Sequence, residues 1–293
     1  MKLLTIFTST FNRAYCLHQL YDSLLIQKST NFKWLIIDDG SSDNTKELVE
    51  KWQSESRVEI KYIYQSNQGM HGGHNTAYEN IDTELNVCID SDDYIVEDAV
   101  QQICDKWAIC SVDDNIAGIV GLDVFKSGKI VGKGFPTDLK TSTLQDIYFK
   151  HNCVGDKKLV LRTDIVLKYP RYPIFAGEKF VPLGILYLMI DQDYKLSCLN
   201  SPLCVVEYLE DGSTMNIYKQ YKRHPKGFRH SRFVELKYLN IAGELIKKTL
   251  HLISSTLFIG DFAFFKGNPR KILTALCLPL GFLFHQFVKS KSK

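Results

Sequence analysis

The stretch that decides the fold is Asn86-Val-Cys-Ile-Asp-Ser-Asp-Asp-Tyr94. An apolar run, Val87 to Ile89, stops abruptly in three carboxylates, Asp90, Asp92 and Asp93. Burying unpaired charge is costly, so a strand that ends this way has a use for it. Two readings fit these residues. The acids can form a turn leading into the next helix, which Glu97 and Asp98 continue. They can also hold a divalent cation, because hard cations take oxygen ligands.

Upstream, apolar runs and polar ends alternate. Leu3 to Thr8 reads as a buried strand that ends in Thr8-Ser-Thr10, and Trp34 to Asp38 as a second, ending in Asp38-Asp-Gly-Ser-Ser42. Ile60 to Tyr64 is a third, and the run into Asp90 a fourth. Between them, apolar residues at 17, 20, 24 and 25 predict a helix over Cys16 to Gln27. Asp43 or Asn44 caps a second helix, and Asn75 to Ile81 follows a Gly-rich loop at 65–73. Strands alternating with helices predict an α/β fold with a doubly wound, mostly parallel sheet. In such sheets the ligand site lies beyond the carboxyl ends of the strands. Thr8-Ser9, Asp38-Asp39, Asn67 to Gly69 and Asp90 to Asp93 should therefore gather on one edge.

Downstream, the spacing predicts a helix over Ile95 to Ala108 and a strand over Ile116 to Phe125, followed by a hairpin at Gly128 and Gly132. A short strand at Leu159 to Leu161 and a helical turn at Ile165 to Leu167 come next. An aromatic segment at 169–182 contains Glu178. Leu183 to Ile190 reads as a helix, and Tyr194 to Leu199 and Cys204 to Tyr208 as two late strands.

The 293 residues are 45% hydrophobic and 24% charged, enough for a sizeable core. A net charge of +3 gives no argument for nucleic acid. None of the eight cysteines forms a C-x-x-C pair, and they read as reduced thiols of a cytosolic compartment.

The first ~95 residues resemble the family 2 glycosyltransferases of GT-A fold. The matching pieces are Thr8-Ser-Thr-Phe-Asn-Arg13, Ile37-Asp-Asp-Gly-Ser-Ser-Asp43, Asn67-Gln-Gly with His74-Asn-Thr-Ala77, and Ile89-Asp-Ser-Asp-Asp93. The resemblance extends more loosely through Glu178 and Tyr208-Leu-Glu-Asp-Gly-Ser213, towards transferases that build bacterial surface polysaccharides. It implies that Thr8, Phe11, Asp39 and Asn67 hold the base and ribose of a nucleotide-sugar, and that His74, Asp90 and Ser91 complete the donor site. His74 stands where the family often has Arg. It further implies that Asp92 coordinates Mn2+ or Mg2+ on the donor diphosphate.

An inverting transfer needs one proton acceptor apart from the metal. Glu178, Asp191 and Asp193 are the candidates. Glu178 occupies the family's acceptor-side position, while Asp191-Gln-Asp193 precedes a strand and reads as structural. Arg223-His224-Pro-Lys-Gly-Phe-Arg229 could close over the diphosphate with His224 as a second metal ligand, or be surface structure.

The sequence suggests a donor-binding part at 1–110, an acceptor-binding part at 111–226 and a helical membrane-associated part at 227–293. Helical spacing covers Phe228 to Leu252. Ile272 to Val288 is apolar over 17 residues, short for a span, and is flanked by Arg270, Lys271, Lys289, Lys291 and Lys293. It is expected to lie in, or re-enter from, an anionic membrane surface. The implied acceptor is a sugar on a polyprenyl diphosphate at the cytoplasmic face of a bacterial plasma membrane, with no nucleic-acid partner. Two rivals are a nucleotidyltransferase and a non-catalytic glycan-binding scaffold. The first would need a Gly-rich phosphate loop after strand one, where 8–13 has no Gly. Intact Asp39, Asp90 and Asp92 argue against the second.

Overall fold

The apolar runs become the middle of one sheet. In the computed structural model, which describes residues 2–207 and 217–292, β1 (Leu4–Thr10) is followed by α1 (Ala14–Leu25), β2 (Phe32–Asp38), α2 (Thr45–Glu55), β3 (Ile60–Tyr64), α3 (Met70–Asn80) and β4 (Leu85–Cys88). Next come β5 (Tyr94–Ile95), α4 (Ala99–Cys110), β6 (Ile116–Val124), β7 (Thr141–Ser142), α5 (Leu144–Phe149), β8 (Lys157–Arg162) and α6 (Thr163–Val166). After α7 (Gly184–Ile190), β9 (Lys195–Val205) completes the sheet. Its order is β3-β2-β1-β4-β8-β6-β9-β5, with β7 on β9. The neighbours β3, β2, β1 and β4 are parallel, and β8 is antiparallel to both β4 and β6. Leu4, Ile6, Trp34, Ile36, Leu85 and Val87 share one core with Leu17, Leu20 and Leu24 of α1. That burial carries the helix spacing read from the sequence.

Three elements of the sheet region depart from expectation. The helix expected at Asn75 begins at Met70, so the Gly-rich loop is shorter and Gly72-Gly73 lie inside α3. A Cβ on Gly73 would stand 2.0 Å from Ser9 Oγ, so the glycine lets α3 approach β1. The helix expected from Ile95 begins only at Ala99, because Tyr94-Ile95 is a short strand that pairs with Val205 and Cys204 of β9. The two late strands are one, running through Pro202, which sits opposite Leu122 where the register with β6 shifts. A bulge tolerates a residue that cannot donate to the ladder. Tyr208 itself lies outside the described residues, as does the Leu209 to Ser213 part of the looser resemblance.

Compactness divides the chain differently from the cuts suggested at 110 and 226. One unit is residues 2–170 with 190–207. The other is 171–189 with the described residues from 217 onward. The second unit holds most of α7, then α8 (Ile217–Arg223), α9 (Pro225–Tyr238), α10 (Ala242–Ile259) and α11 (Lys271–Lys291). The single helix expected over 228–252 is broken after Tyr238. Leu239 and Ile241 take extended backbone, and α10 packs back against α9. All eight cysteines are free thiols.

Candidate functional site

Parallel pairing puts the ends of the first four strands on one edge. Thr10 stands beside Asp38, Asp38 beside Tyr64, and Phe7 beside Cys88. The polar segments that follow are therefore neighbours, as the alternating pattern requires, and they are bonded to one another. Asn12, at φ 52, accepts from Ser42 N at 2.7 Å and donates its own N–H to Ser41 Oγ at 2.9 Å. Asp43 accepts from Ala14 N at the start of α1 and from Thr45 N at the start of α2. Asp39 is buried. Its Oδ1 accepts from Gln68 N at 2.8 Å and Gln65 Nε2 at 2.7 Å, and its Oδ2 from Gly69 N at 2.7 Å. The carboxylate thus fastens the loop after β2 to the entry of α3 and shapes the floor on which Asn67 sits.

Two donor-site expectations change. The Thr8 hydroxyl faces the core, fully buried, and accepts from Trp34 Nε1 at 3.0 Å, which removes it from a ligand's reach. His74 is buried on α3. Its ring lies edge-on to Phe7 at 5.0 Å, with Tyr78 Oη 3.4 Å from Nδ1 and Cys88 Sγ 3.5 Å from Nε2. Burial pushes its pKa down to about 4, so at neutral pH the imidazole is uncharged. Phe11 is 47% exposed and open to stacking.

In the acidic turn after β4, Asp90 and Asp92 are half-buried, while Ser91 and Asp93 are buried. Asp93 Oδ1 accepts from Glu207 N at 3.3 Å, and Oδ2 lies 3.9 Å from Lys158 Nζ. The same ammonium is 3.8 Å from buried Asp123. Burial pushes Asp93 up to about 7 against the opposing pull of Lys158. Burial also disfavours the Lys158 ammonium, yet the facing carboxylates hold its pKa above the ordinary lysine value. The sequence reading missed Lys158 and Asp123. The available signal was one charged residue opening an apolar strand and another within the fully buried strand β6.

The turn suits a hard cation bound mainly through substrate. Among the described residues no group of three or more His, Cys, Asp or Glu forms a closed metal cage. Mg2+-like ions commonly take one or two carboxylates and complete their shell with water and phosphate oxygens. The half-buried Asp90 and Asp92 are of the ligand type such an ion takes.

Glu178 and His224 belong to the second unit, where they act on each other's segments. Glu178 is 7% exposed, and its two oxygens accept from Lys226 N and Gly227 N, both at 2.9 Å. It closes the N-terminus of α9, where the helix dipole favours an anion. His224 Nδ1 accepts from Lys179 N at 3.1 Å, and burial lowers its pKa. A Cβ on Gly227 would stand 2.0 Å from Phe180 O, which shows how closely the segment presses on the helix. These bonds give Glu178 the place of a helix cap and His224 that of a loop anchor. Asp191 likewise accepts from Leu144 N and Gln145 N, at 2.8 and 2.7 Å, and caps α5. Glu178→Gln is expected to lower unfolding stability by about 1–2 kcal/mol and to leave turnover per folded molecule unchanged. Chemical denaturation and initial rates check both. Lost turnover at unchanged stability would return Glu178 to the role of proton acceptor.

Residues 5–149 match the family model described as "Glycosyl transferase family 2". An uncharacterised glycosyltransferase of Nostoc sp. is 30% identical over 112 residues, 38% of this chain and 34% of that one. The GalNAc(5)-diNAcBac-PP-undecaprenol beta-1,3-glucosyltransferase of Campylobacter jejuni is 30% identical over 108 residues, 36% of this chain and 35% of that one. The chain thus spans about a third of the length of these curated relatives. The crystal structure of S. aureus TarS 1–349 in complex with UDP-GlcNAc superposes with a TM-score of 0.65 at 18% identity, over 100% of this chain and 88% of that one. A mannosyltransferase from Pyrobaculum calidifontis, in complex with GDP-Man and Mn2+, gives 0.52 at 13% identity, over 99% and 82%. At these identities the likeness is one of fold.

Proposed function

Because residues 5–149 place this chain among the family 2 glycosyltransferases of GT-A fold, we propose that it transfers a sugar from a UDP-linked donor to a glycan or lipid-linked saccharide in bacterial surface polysaccharide synthesis. The reaction is one metal-dependent displacement with inversion. The observation that carries this reading is the turn after β4. Asp90 and Asp92 are left half-buried at the edge where the ends of β1, β2 and β3 also arrive. The UDP-GlcNAc bound to TarS supports the choice of donor, and the undecaprenol-linked acceptor in the Campylobacter relative's name supports the choice of acceptor.

Phe11 covers the base, Asn67 offers its amide to it, and Asp90 accepts from the ribose. Asp92 holds Mn2+ or Mg2+. A cation held by Asp92 would supply charge neutralisation for the departing diphosphate. Lys158 pairs with the turn's inner carboxylate, Asp93. Work on a lipid-linked acceptor places the chain at the cytoplasmic membrane face, in contact with it through the C-terminal helices.

Thermal unfolding with a panel of nucleotide sugars tests the proposal. A UDP-sugar at about a hundred times its Kd should add about 2.7 kcal/mol, or about 4–5 °C. The shift should require Mn2+ and vanish with chelator. No shift from any nucleotide sugar, or the same shift with chelator, overturns it.

A further inference from the structure

The net charge of +3 conceals a strong asymmetry. Residues 217–293 carry fifteen Lys and Arg against three Asp and Glu, a net +12, while residues 1–216 carry twenty-one against thirty, a net −9. The three acids of the basic part are already paired. Glu235 meets Arg232 and Lys248, Glu244 meets Lys247, and Asp261 meets Arg229. Charge segregated this way favours an anionic partner.

Helix α11 has two apolar faces. One is used within the unit. Cys277 packs with Ile253 and Phe264, His285 stands 4.4 Å from Phe258 and 3.2 Å from Ser254 Oγ, and Phe284 meets His251 at 4.7 Å. The other is bare. Ile272, Leu276, Leu280, Leu283 and Phe287, spaced by three and four, are 80%, 74%, 57%, 69% and 45% exposed. Lys271 precedes this stripe, and Lys289 and Lys291 follow it, all exposed. Helix α8 borders its far end, where Tyr218 packs on Phe287 with ring centroids 5.8 Å apart. The outward residues of α8 are Lys219, Lys222 and Arg223, and the helix contains no acid.

By length and composition alone, α11 could cross a membrane. Its packing argues otherwise. The stripe from Ile272 to Phe287 is about 22 Å long, less than the roughly 30 Å of hydrocarbon. The opposite face is held by α10, whose first turns carry Glu244, Lys247 and Lys248. A second copy is also disfavoured, since it would bring two +12 surfaces together.

We propose that α11 and α8 form one docking surface for an anionic phospholipid bilayer. Helix α11 lies in the membrane plane with its bare stripe among the acyl chains, and Lys219, Lys222 and Arg223 meet the headgroup phosphates. The arrangement deepens the proposed reading by fixing how the chain sits on the membrane that bears its acceptor, yet it is measurable without turnover. Failed donor binding and failed membrane binding are therefore separate results.

The test is co-sedimentation of the full chain with vesicles of phosphatidylcholine alone or mixed equally with phosphatidylglycerol. Binding to the anionic vesicles should be at least about tenfold tighter and should weaken about tenfold on going from about 0.1 to about 0.5 M salt. Leu276→Ser with Leu283→Ser should cost about tenfold on anionic vesicles, with circular dichroism unchanged because both positions are exposed. Lys219→Ser, Lys222→Ser and Arg223→Ser together should abolish most of the salt dependence. Equal binding to both vesicle types overturns the proposal, as does resistance to extraction by alkaline carbonate, the mark of a spanning helix. A dimer in light scattering that the same leucine changes dissociate assigns the stripe to a second copy and overturns it too.

Discussion

Asp92→Ala is expected to lower donor turnover by about 10^2–10^3-fold while leaving the fold intact. Asp92 is half-buried at the exposed end of β4 and belongs to no ladder, so its removal opens no cavity in the core. It also raises the pKa of its neighbour Asp93, so its loss relieves repulsion within the turn. Stability should therefore stay within about 0.5 kcal/mol of the parent or rise slightly. The loss of rate should come with loss of response to Mn2+, because the affected step is charge neutralisation on the leaving diphosphate. Initial rates of UDP-sugar hydrolysis across a Mn2+ titration measure both. A variant with parental turnover and the parental titration curve would sink the metal site at this turn.

Lys158→Met is expected to have the largest effect on stability, a loss of about 3–5 kcal/mol near pH 8. Removing the ammonium leaves Asp93 and Asp123 buried without their shared cation. The sign of the pH dependence follows from Asp93. Its folded pKa of about 7 lies above that of an unfolded aspartate, about 4. Between those values the folded chain binds more protons, so stability falls as pH rises and levels off above 7. Burial raises Asp123 as well, which adds in the same direction. At pH 5 Asp93 holds its proton in the folded chain and has less need of the ammonium. The loss caused by Lys158→Met should therefore be smaller at pH 5 than at pH 8. Adding Asp93→Asn and Asp123→Asn to that variant should recover much of the loss at pH 8. Denaturant unfolding at the two pH values checks this. An equal loss at both would show that Lys158 acts through packing of its stem alone.

The line of strands was legible because it is local. Leu4 to Thr10, Phe32 to Asp38 and Ile60 to Tyr64 each announce themselves by an apolar run with a polar end. Parallel pairing then leaves little freedom over where those ends go. The acidic turn was legible for the same reason, since three carboxylates directly after Ile89 need no distant residue to be noticed. The C-terminal helices were legible as apolar runs, though not where they break, because Leu239 to Ile241 differ little in character from the residues around them.

The roles of single side chains were not legible where the partner lies far away in sequence. Glu178 has the family position of a proton acceptor, but the N–H groups that occupy it come from Lys226 and Gly227, 48 and 49 residues later. Thr8 is claimed by Trp34 across the sheet, and His74 is buried between Phe7 and Cys88. Lys158 reads locally as a surface lysine until β8 inserts between β4 and β6 and delivers it behind the turn. The sequence by itself determined the α/β order, the family resemblance and the acidic turn after Ile89, because each depends on neighbours within one run. Tertiary structure alone decided which charges are spent on the protein's own backbone and on buried ion pairs. A hydrogen bond or an ion pair is settled by which atoms burial brings within reach, and that is a property of the packed chain.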